Sequence, residues 1–476
     1  MVAQKELTQC EQNKRVEDAK WHKEIDLTGR RTTEATNLVQ QYQKCLNVLR
    51  RAGSVIPDKE FFVQPAQRWH LASAWVTPTF DELRAKLFLI ALRLHETTLR
   101  ACKRKAIANL RAVHAMLVGE LPEPIEEANR NVLWNSLFFT VPVVSTTLAS
   151  FDRLFGKLGQ EDLGWLLIDE AGQATPQSVA GAIWRSKRAV IIGDPLQVEP
   201  VMTVPNAVVA RLRERQGVGT CWSPIQESAQ TVADRTMILG AYIGEASTPE
   251  NSVWTGLPLR AHRRCVDPMF SVANEIAYCG QMVQANTAPT SIDCVLGESA
   301  WIDVRGQSAD GPVVHDEMRT LCDLLKLFTR QWPTHGKDRK NSTAFVISPF
   351  RKVSQECETV IKEVRLFYKE QPTPCGTVHG FQGREAEVVF IVLGSAPGDA
   401  GGGSRNWASI KPNILNVALT RSKLRVFVIG NAHDWGKCPG FGTLLNAFKT
   451  KNRVLNATTL LSTASDSMHT RNSLAP

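Results

Sequence analysis

The stretch WLLIDEAGQATP, residues 165–176, runs four apolar side chains directly into two consecutive carboxylates, Asp169 and Glu170, and then into a turn of small residues. A short apolar run closed in this way reads as a strand buried on both faces. Acids delivered at the carboxyl end of such a strand stand where a phosphoryl-transfer site keeps one carboxylate for a metal and another for the nucleophile. Side chains alternate about a strand end, so neighbouring acids can serve separate roles. Taken alone, the stretch is equally well a capped strand.

Its surroundings repeat the pattern. RAVIIGDPLQVEP (188–200) is a second apolar run, ending in Gly193, Asp194 and Gln197. VPVVSTT (141–147), TAFVISPF (343–350), AEVVFIVLGS (386–395) and LRVFVIGN (424–431) share the same texture. Such runs separated by helical segments predict an α/β fold with a parallel sheet and ligands at the carboxyl ends of the strands. The glycine-rich APGDAGGGS (396–404) reads as a flexible loop, and residues 446–476 as a polar tail.

Residues 1–140 have a different period. Ala35, Leu38, Val39, Tyr42, Cys45, Leu46 and Leu49 trace one helical stripe, and Phe80, Leu83, Leu87, Ile90 and Leu94 trace another. The second stripe continues through Ile107, Leu110, Val113 and Leu117. Arg84, Lys86, Arg93, Arg100, Lys103, Arg104, Lys105 and Arg111 make this helical stretch basic, which suits a solvated face as well as a nucleic-acid contact.

At 476 residues the chain has room for about three domains, and 43% hydrophobic with 22% charged residues is ordinary globular usage. Lysine and arginine number 56 against 47 acids, a net +9 that makes a polyanion the natural partner. No apolar stretch is long enough for a bilayer, and the polar N-terminus does not resemble a secretory signal, so a cytoplasmic protein with no membrane partner is expected. The eleven cysteines form no CxxC pair; Cys265, Cys279 and Cys294 are too widely spaced for a compact ligand set and read as buried free thiols.

Seven segments in order, STTLASF, LLIDEAGQATP, IIGDPLQVEP, LPLRAHRRC, VISPFRK, GTVHGFQGREAEVV and NVALTRSKLRV, together resemble the superfamily 1 helicases, in particular the nonsense-decay-helicase-like subgroup. The resemblance spans roughly residues 141–435 and implies two RecA-like lobes with a helicase C-terminal AAA domain. It places the rest of lobe 1 at 141–205 and lobe 2 at 206–445. It implies ATP and Mg²⁺ in the cleft between the lobes and single-stranded DNA or RNA across them. By motif, Asp169 would hold the metal and Glu170 would be the catalytic base, with Gln197 sensing the terminal phosphate. Arg264 and Arg421 would be arginine fingers; Arg263 stands beside Arg264, and alignment favours the latter. Gln382, Gly383 and Glu385 match the motif that couples nucleotide to strand. Ser145, Thr146, Thr147, Pro349, Arg351, Thr377 and His379 match strand-contacting motifs that address the backbone, so little base specificity is expected. Glu199 departs from the family, which keeps an apolar residue or proline there.

The resemblance implies ATP-dependent, single-strand-stimulated helicase or translocase activity, with 5′-to-3′ polarity. Yet the phosphate-cradling pattern GxxxxGK[ST] is absent from the sequence: the glycines before residue 151 are Gly29, Gly53 and Gly119, and none belongs to such a loop. The helical residues 1–140 therefore resemble the stalk or insert of an incomplete first lobe, whose P-loop a separate segment would supply. A non-catalytic remnant that binds nucleic acid is the alternative.

Overall fold

Residues 344–348 alternate between two faces: Ala344 and Val346 face one hydrophobic cluster, Phe345 and Ile347 another, and all are buried. In the computed structural model this alternation recurs in every long strand around it. The structure describes residues 2–476 except 74–75, 245–251, 287–293, 295, 308, 332–343, 365–373, 458 and 460–476.

The chain divides into two compact units, residues 1–144 and 145–476. The first is helical, with α1 (Val2–Arg51), α2 (Pro78–Ala101), α3 (Lys103–Leu117) and α4 (Glu123–Thr140) as its long elements. Thr77 caps α2 by accepting from the Phe80 amide, and Pro78 fixes the first turn. The His95 ring on α2 stacks on Phe139 of α4 at 4.3 Å, and Asn109 of α3 donates to Ser136 of α4 at 2.9 Å. Val113, Leu133 and Trp134 are the buried apolar residues described in this unit.

In the second unit, β1 (Leu166–Ile168) and β2 (Ala189–Ile191) form a two-stranded parallel sheet. Gly172 and Gly193 close the turns after these strands. A Cβ on Gly193 would lie 2.6 Å from the Gly172 nitrogen, and one on Gly172 would lie 2.7 Å from the Asp194 carbonyl oxygen, so only glycine lets the two turns touch. Residues 141–147, expected as a strand, run as coil with Val143 80% exposed. Among the described residues β1 and β2 bond only to each other, and a strand without a neighbour has no ladder to hold it.

The larger sheet is wholly parallel. After α5 (Met269–Tyr278) come β3 (Ala300–Asp303), α6 (His315–Gln331), β4 (Ala344–Ser348), α7 (Arg351–Val364), β5 (Cys375–Thr377) and β6 (Ala386–Val392). Then follow α8 (Gly402–Ser409), α9 (Asn413–Thr420), β7 (Ser422–Gly430), α10 (Phe441–Lys449) and β8 (Val454–Asn456). Strand order is β5-β4-β6-β7-β3-β8. One face packs Val389, Ile391, Val426 and Val428 against helices α5, α9 and α10 through Val272, Leu419 and Leu444. The other packs Val388, Phe390, Phe427 and Ile429 against α6 and α7 through Leu324, Phe328 and Ile361. Burial on both faces is why these strands read as continuous apolar runs.

The glycine-rich 396–404 is ordered, as a 3-10 turn at Gly398–Gly401 leading into α8. It wraps the side chain of Arg405, which is 7% exposed and donates to the carbonyls of Ala396 and Gly398 and to the Ser395 hydroxyl. The stretch from 446, read as a polar tail, stays in the fold to Asn456, because Phe448 is buried in the core and β8 bonds to β3. Of the three closely spaced cysteines, Cys265 and Cys294 are buried free thiols, but Cys279 is exposed and ends α5 in the left-handed region.

Candidate active site

At the end of β1, Glu170 adopts φ +54°, a conformation rarely taken by a residue with a Cβ. Asp169 is exposed, and its Oδ1 accepts from the Glu170 amide at 2.9 Å. Glu170 Oε2 accepts from Gln173 Nε2 at 3.3 Å and, across the cleft, from Gln382 Nε2 at 3.0 Å. The same Gln382 amide nitrogen lies 3.5 Å from Gln197 Oε1. The neighbouring Gly383, at φ +77°, would bring a Cβ within 3.6 Å of Glu170 Oε1. Four of the residues singled out in the sequence thus meet across one junction, tied to Asp169 through the Glu170 backbone.

A second junction lies beside it. Arg264 Nε donates to Glu385 Oε2 at 2.8 Å, and Lys423 pairs with the other carboxylate oxygen. Burial pushes the Glu385 carboxyl up, but Lys423 and Arg264 together hold it below the usual range. Arg264 and Glu385, with Gln197, Asp194 and Tyr278, line a cleft of 710 Å³. Arg263 also lines it but is exposed, with its neighbour Arg264 holding the carboxylate. His262 Nε2 accepts from the Cys265 amide at 3.0 Å, so the ring is neutral. Burial, with Arg264 and Arg421 nearby, lowers its pKa to about 4.

Arg421 is placed differently from Arg264. Only 1% exposed, it donates from Nε to the Val417 carbonyl at 3.1 Å and from Nη1 to the Arg384 carbonyl at 3.0 Å. Burial, foremost, drops its pKa to about 10, although the Glu170 charge nearby opposes that fall. The guanidinium therefore fastens the end of α9 to the loop carrying Gln382, within electrostatic reach of the Glu170 carboxylate.

The contacts that hold the two lobes together lie mostly outside the motifs read from the sequence. Tyr278, at the end of α5, donates its hydroxyl to Asp194 Oδ2 and accepts from Asn416 Nδ2 at 3.0 Å. Burial and the Asp194 charge raise the phenol well above its ordinary pKa, so it stays a donor. Asn413 donates to the Gln197 carbonyl at 2.6 Å, and Asn416 to the Leu196 carbonyl at 3.1 Å. Glu199, the residue that departs from the resemblance, pairs with Lys411 across the same seam. Asn416 belongs to a quoted motif, but Tyr278 and Lys411 carry no signal outside the fold.

The strand-motif residues of the second lobe gather at the carboxyl ends of β4 and β5. Pro349 is buried, so its contribution there is backbone shape, whereas Arg351 is exposed at the start of α7. Thr377 Oγ1 accepts from the Gly380 amide at 3.4 Å, and His379 is half-buried, its pKa lowered by that burial. Ser145, Thr146 and Thr147 lie in the coil before the helix Leu148–Phe155. No hydrogen bond joins them to the second-lobe group among the described residues.

Residues 3–204 match one family described as an AAA domain, and residues 259–433 match a second. The chain belongs to the superfamily 1 helicases. Within them it is of the nonsense-decay type. It is 23% identical to the human RNA helicase Mov10l1 over 387 residues, covering 75% of this chain and 29% of that protein. It is 21% identical over 322 residues to the chicken DNA replication ATP-dependent helicase/nuclease DNA2, covering 67% and 28%. With the Dictyostelium discoideum Regulator of nonsense transcripts 1 it shares 23% identity over 312 residues, covering 62% and 20%. The chain thus spans less than a third of the length of these relatives. The α/β architecture described above is that of RecA-like helicase lobes with a helical N-terminal part. No described helix is long and apolar enough to cross a membrane.

The donor set fits the catalytic side of a nucleotide and Mg²⁺ site: an exposed carboxylate, a second carboxylate held by two amides, and the Arg421 guanidinium within electrostatic reach of it, with Arg264 close to Arg421. Bound ATP with its metal would supply the transferable phosphoryl group.

Proposed function

We propose that this chain carries the catalytic and strand-binding parts of an ATP-dependent, cytoplasmic helicase or translocase that acts 5′-to-3′ and is stimulated by single-stranded DNA or RNA. The observation that supports this most is the meeting of Glu170, Gln197 and Gln382 across the lobes. Asp169 would hold Mg²⁺, and Glu170 would take up the proton of the attacking water. Gln173 and Gln382 keep the Glu170 carboxylate oriented by their amides, a job that costs no reorganisation during the reaction. Gln197 reads the terminal phosphate, and Arg264 offers it a guanidinium from the second lobe, with Arg421 as the buried charge behind. Gln382, Gly383 and Glu385 pass the state of this site to the strand surface. There Arg351, Thr377, His379 and the Pro349 turn, with Ser145, Thr146 and Thr147, contact the nucleic-acid backbone.

A second reading, a strand-binding protein without turnover, is favoured by the lack of GxxxxGK[ST] in the sequence. The first reading calls for a separate segment that supplies that loop. ATP hydrolysis by the purified chain supplied with a separate segment that carries such a loop, with and without single-stranded DNA or RNA, separates the two. Strand-stimulated turnover that falls roughly 10²- to 10⁴-fold in Glu170→Gln supports the first. Strand binding with no turnover supports the second.

A further inference from the structure

Trp407 lies outside every motif quoted above, yet it stands at the point where the strand surface converges. Strands β5, β4 and β6 are adjacent and parallel, so the segments leaving their carboxyl ends emerge side by side. These segments carry His379, Phe350 and, through the loop before α8, Trp407. The Trp407 and His379 rings are 6.5 Å apart and nearly parallel, at 20°, and Phe350 is 6.0 Å from Trp407. Phe350 leans in turn on Trp435, at 6.4 Å, which is 1% exposed. A file of rings therefore runs from the core to the surface and ends in an indole that is 51% exposed.

The helix that presents this indole is held firmly. Ala408, the next residue, is buried in the core, and Arg405 two positions earlier is clamped by the loop and faces Asp434 at 3.8 Å. Ser409 donates back to the Arg405 carbonyl at 2.8 Å. A large aromatic left half in water on a rigid element, backed by other rings, is a surface awaiting a flat apolar partner. The exposed Arg351, immediately after Phe350, supplies positive charge beside it.

We propose that Trp407 is a stacking platform for one base of a single-stranded nucleic acid, with Phe350 and His379 as its backing and Arg351 meeting an adjacent phosphate. The assignment rests on the strand-binding reading above. Every base has a π-face, so this contact adds affinity without adding sequence preference.

The test is equilibrium binding of the full chain to a fluorescein-labelled homopyrimidine single strand, compared with a strand of equal length carrying abasic sugars. Wild type is expected to bind the base-bearing strand roughly tenfold more tightly than the abasic one. Trp407→Ala is expected to lose most of that preference while binding the abasic strand as wild type does, and Trp407→Phe to keep most of it. Wild type binding both strands equally, or Trp407→Ala weakening both equally, overturns the stacking role while leaving strand binding intact. The wild-type comparison needs no variant and so does not depend on how the variants fold. Failure of wild type to bind either strand would overturn the strand-binding reading itself, and this proposal with it.

Discussion

Arg264 and Arg421 carry the same side chain into the same region, but burial separates what they do. Arg264 is one-third exposed, and its partner Glu385 is likewise exposed, so their ion pair is worth at most about 1 kcal/mol to the fold. Arg421 is fully buried, and its guanidinium satisfies the carbonyls of Val417 and Arg384. Removing it leaves the Arg384 carbonyl without that donor, at about 1–3 kcal/mol, whereas the Val417 carbonyl keeps Thr420 Oγ1 at 3.2 Å. Arg421→Ala is therefore expected to lose about 1–3 kcal/mol in urea unfolding, and Arg264→Ala less than about 1 kcal/mol. Equal losses would mean that the burial difference has no energetic consequence. The resemblance made both arginines visible in the sequence, since each lies in one of the quoted motifs. That one is spent on backbone carbonyls was not visible, because it depends on where α9 ends relative to a loop nearly forty residues upstream. Trp407 and Tyr278 were hidden for the same reason: a single aromatic outside a motif declares its role only through its neighbours.

At the level of elements, the glycine-rich loop shows how a compositional reading can mislead. Glycines at 398 and 401–403 suggested freedom, yet the loop is drawn tight around Arg405. A Cβ at Gly401 would fall 2.0 Å from the Ala396 carbonyl oxygen and 2.3 Å from Ser395 Oγ, distances that no side chain tolerates without the loop opening. Gly401→Ala is expected to cost about 1–3 kcal/mol, with Gly402→Ala, where nothing lies within 4 Å, close to neutral. Thermal unfolding of the two variants side by side checks this, and an equally mild effect from both would show that the loop yields. The strands tell the opposite story. The apolar runs at 343–350, 386–395 and 424–431 were legible because burial on both faces leaves an uninterrupted signature, whereas 141–147 carried a similar signature but pairs with no strand among the described residues.

Across the whole molecule, burial is unevenly shared. Two clusters with many fully buried side chains sandwich the six-stranded sheet, while α1 has exposed faces wherever its side chains are described. Amide hydrogen exchange is expected to be slowest in β4, β6 and β7 and fastest along α1, because local opening costs little where few apolar contacts must break. Comparable protection in α1 and β6 would contradict that distribution. The order of strands in this sheet also sets a timetable for synthesis. β3 emerges first, yet its two neighbours are β7 and β8, which leave the ribosome more than a hundred residues later. Until then β3 has no partner, and Trp301, Ile302 and their apolar neighbours wait without a completed sheet. Late closure of so non-local a pairing makes this lobe slow to fold and dependent, while it waits, on whatever in the cell shields a nascent hydrophobic strand.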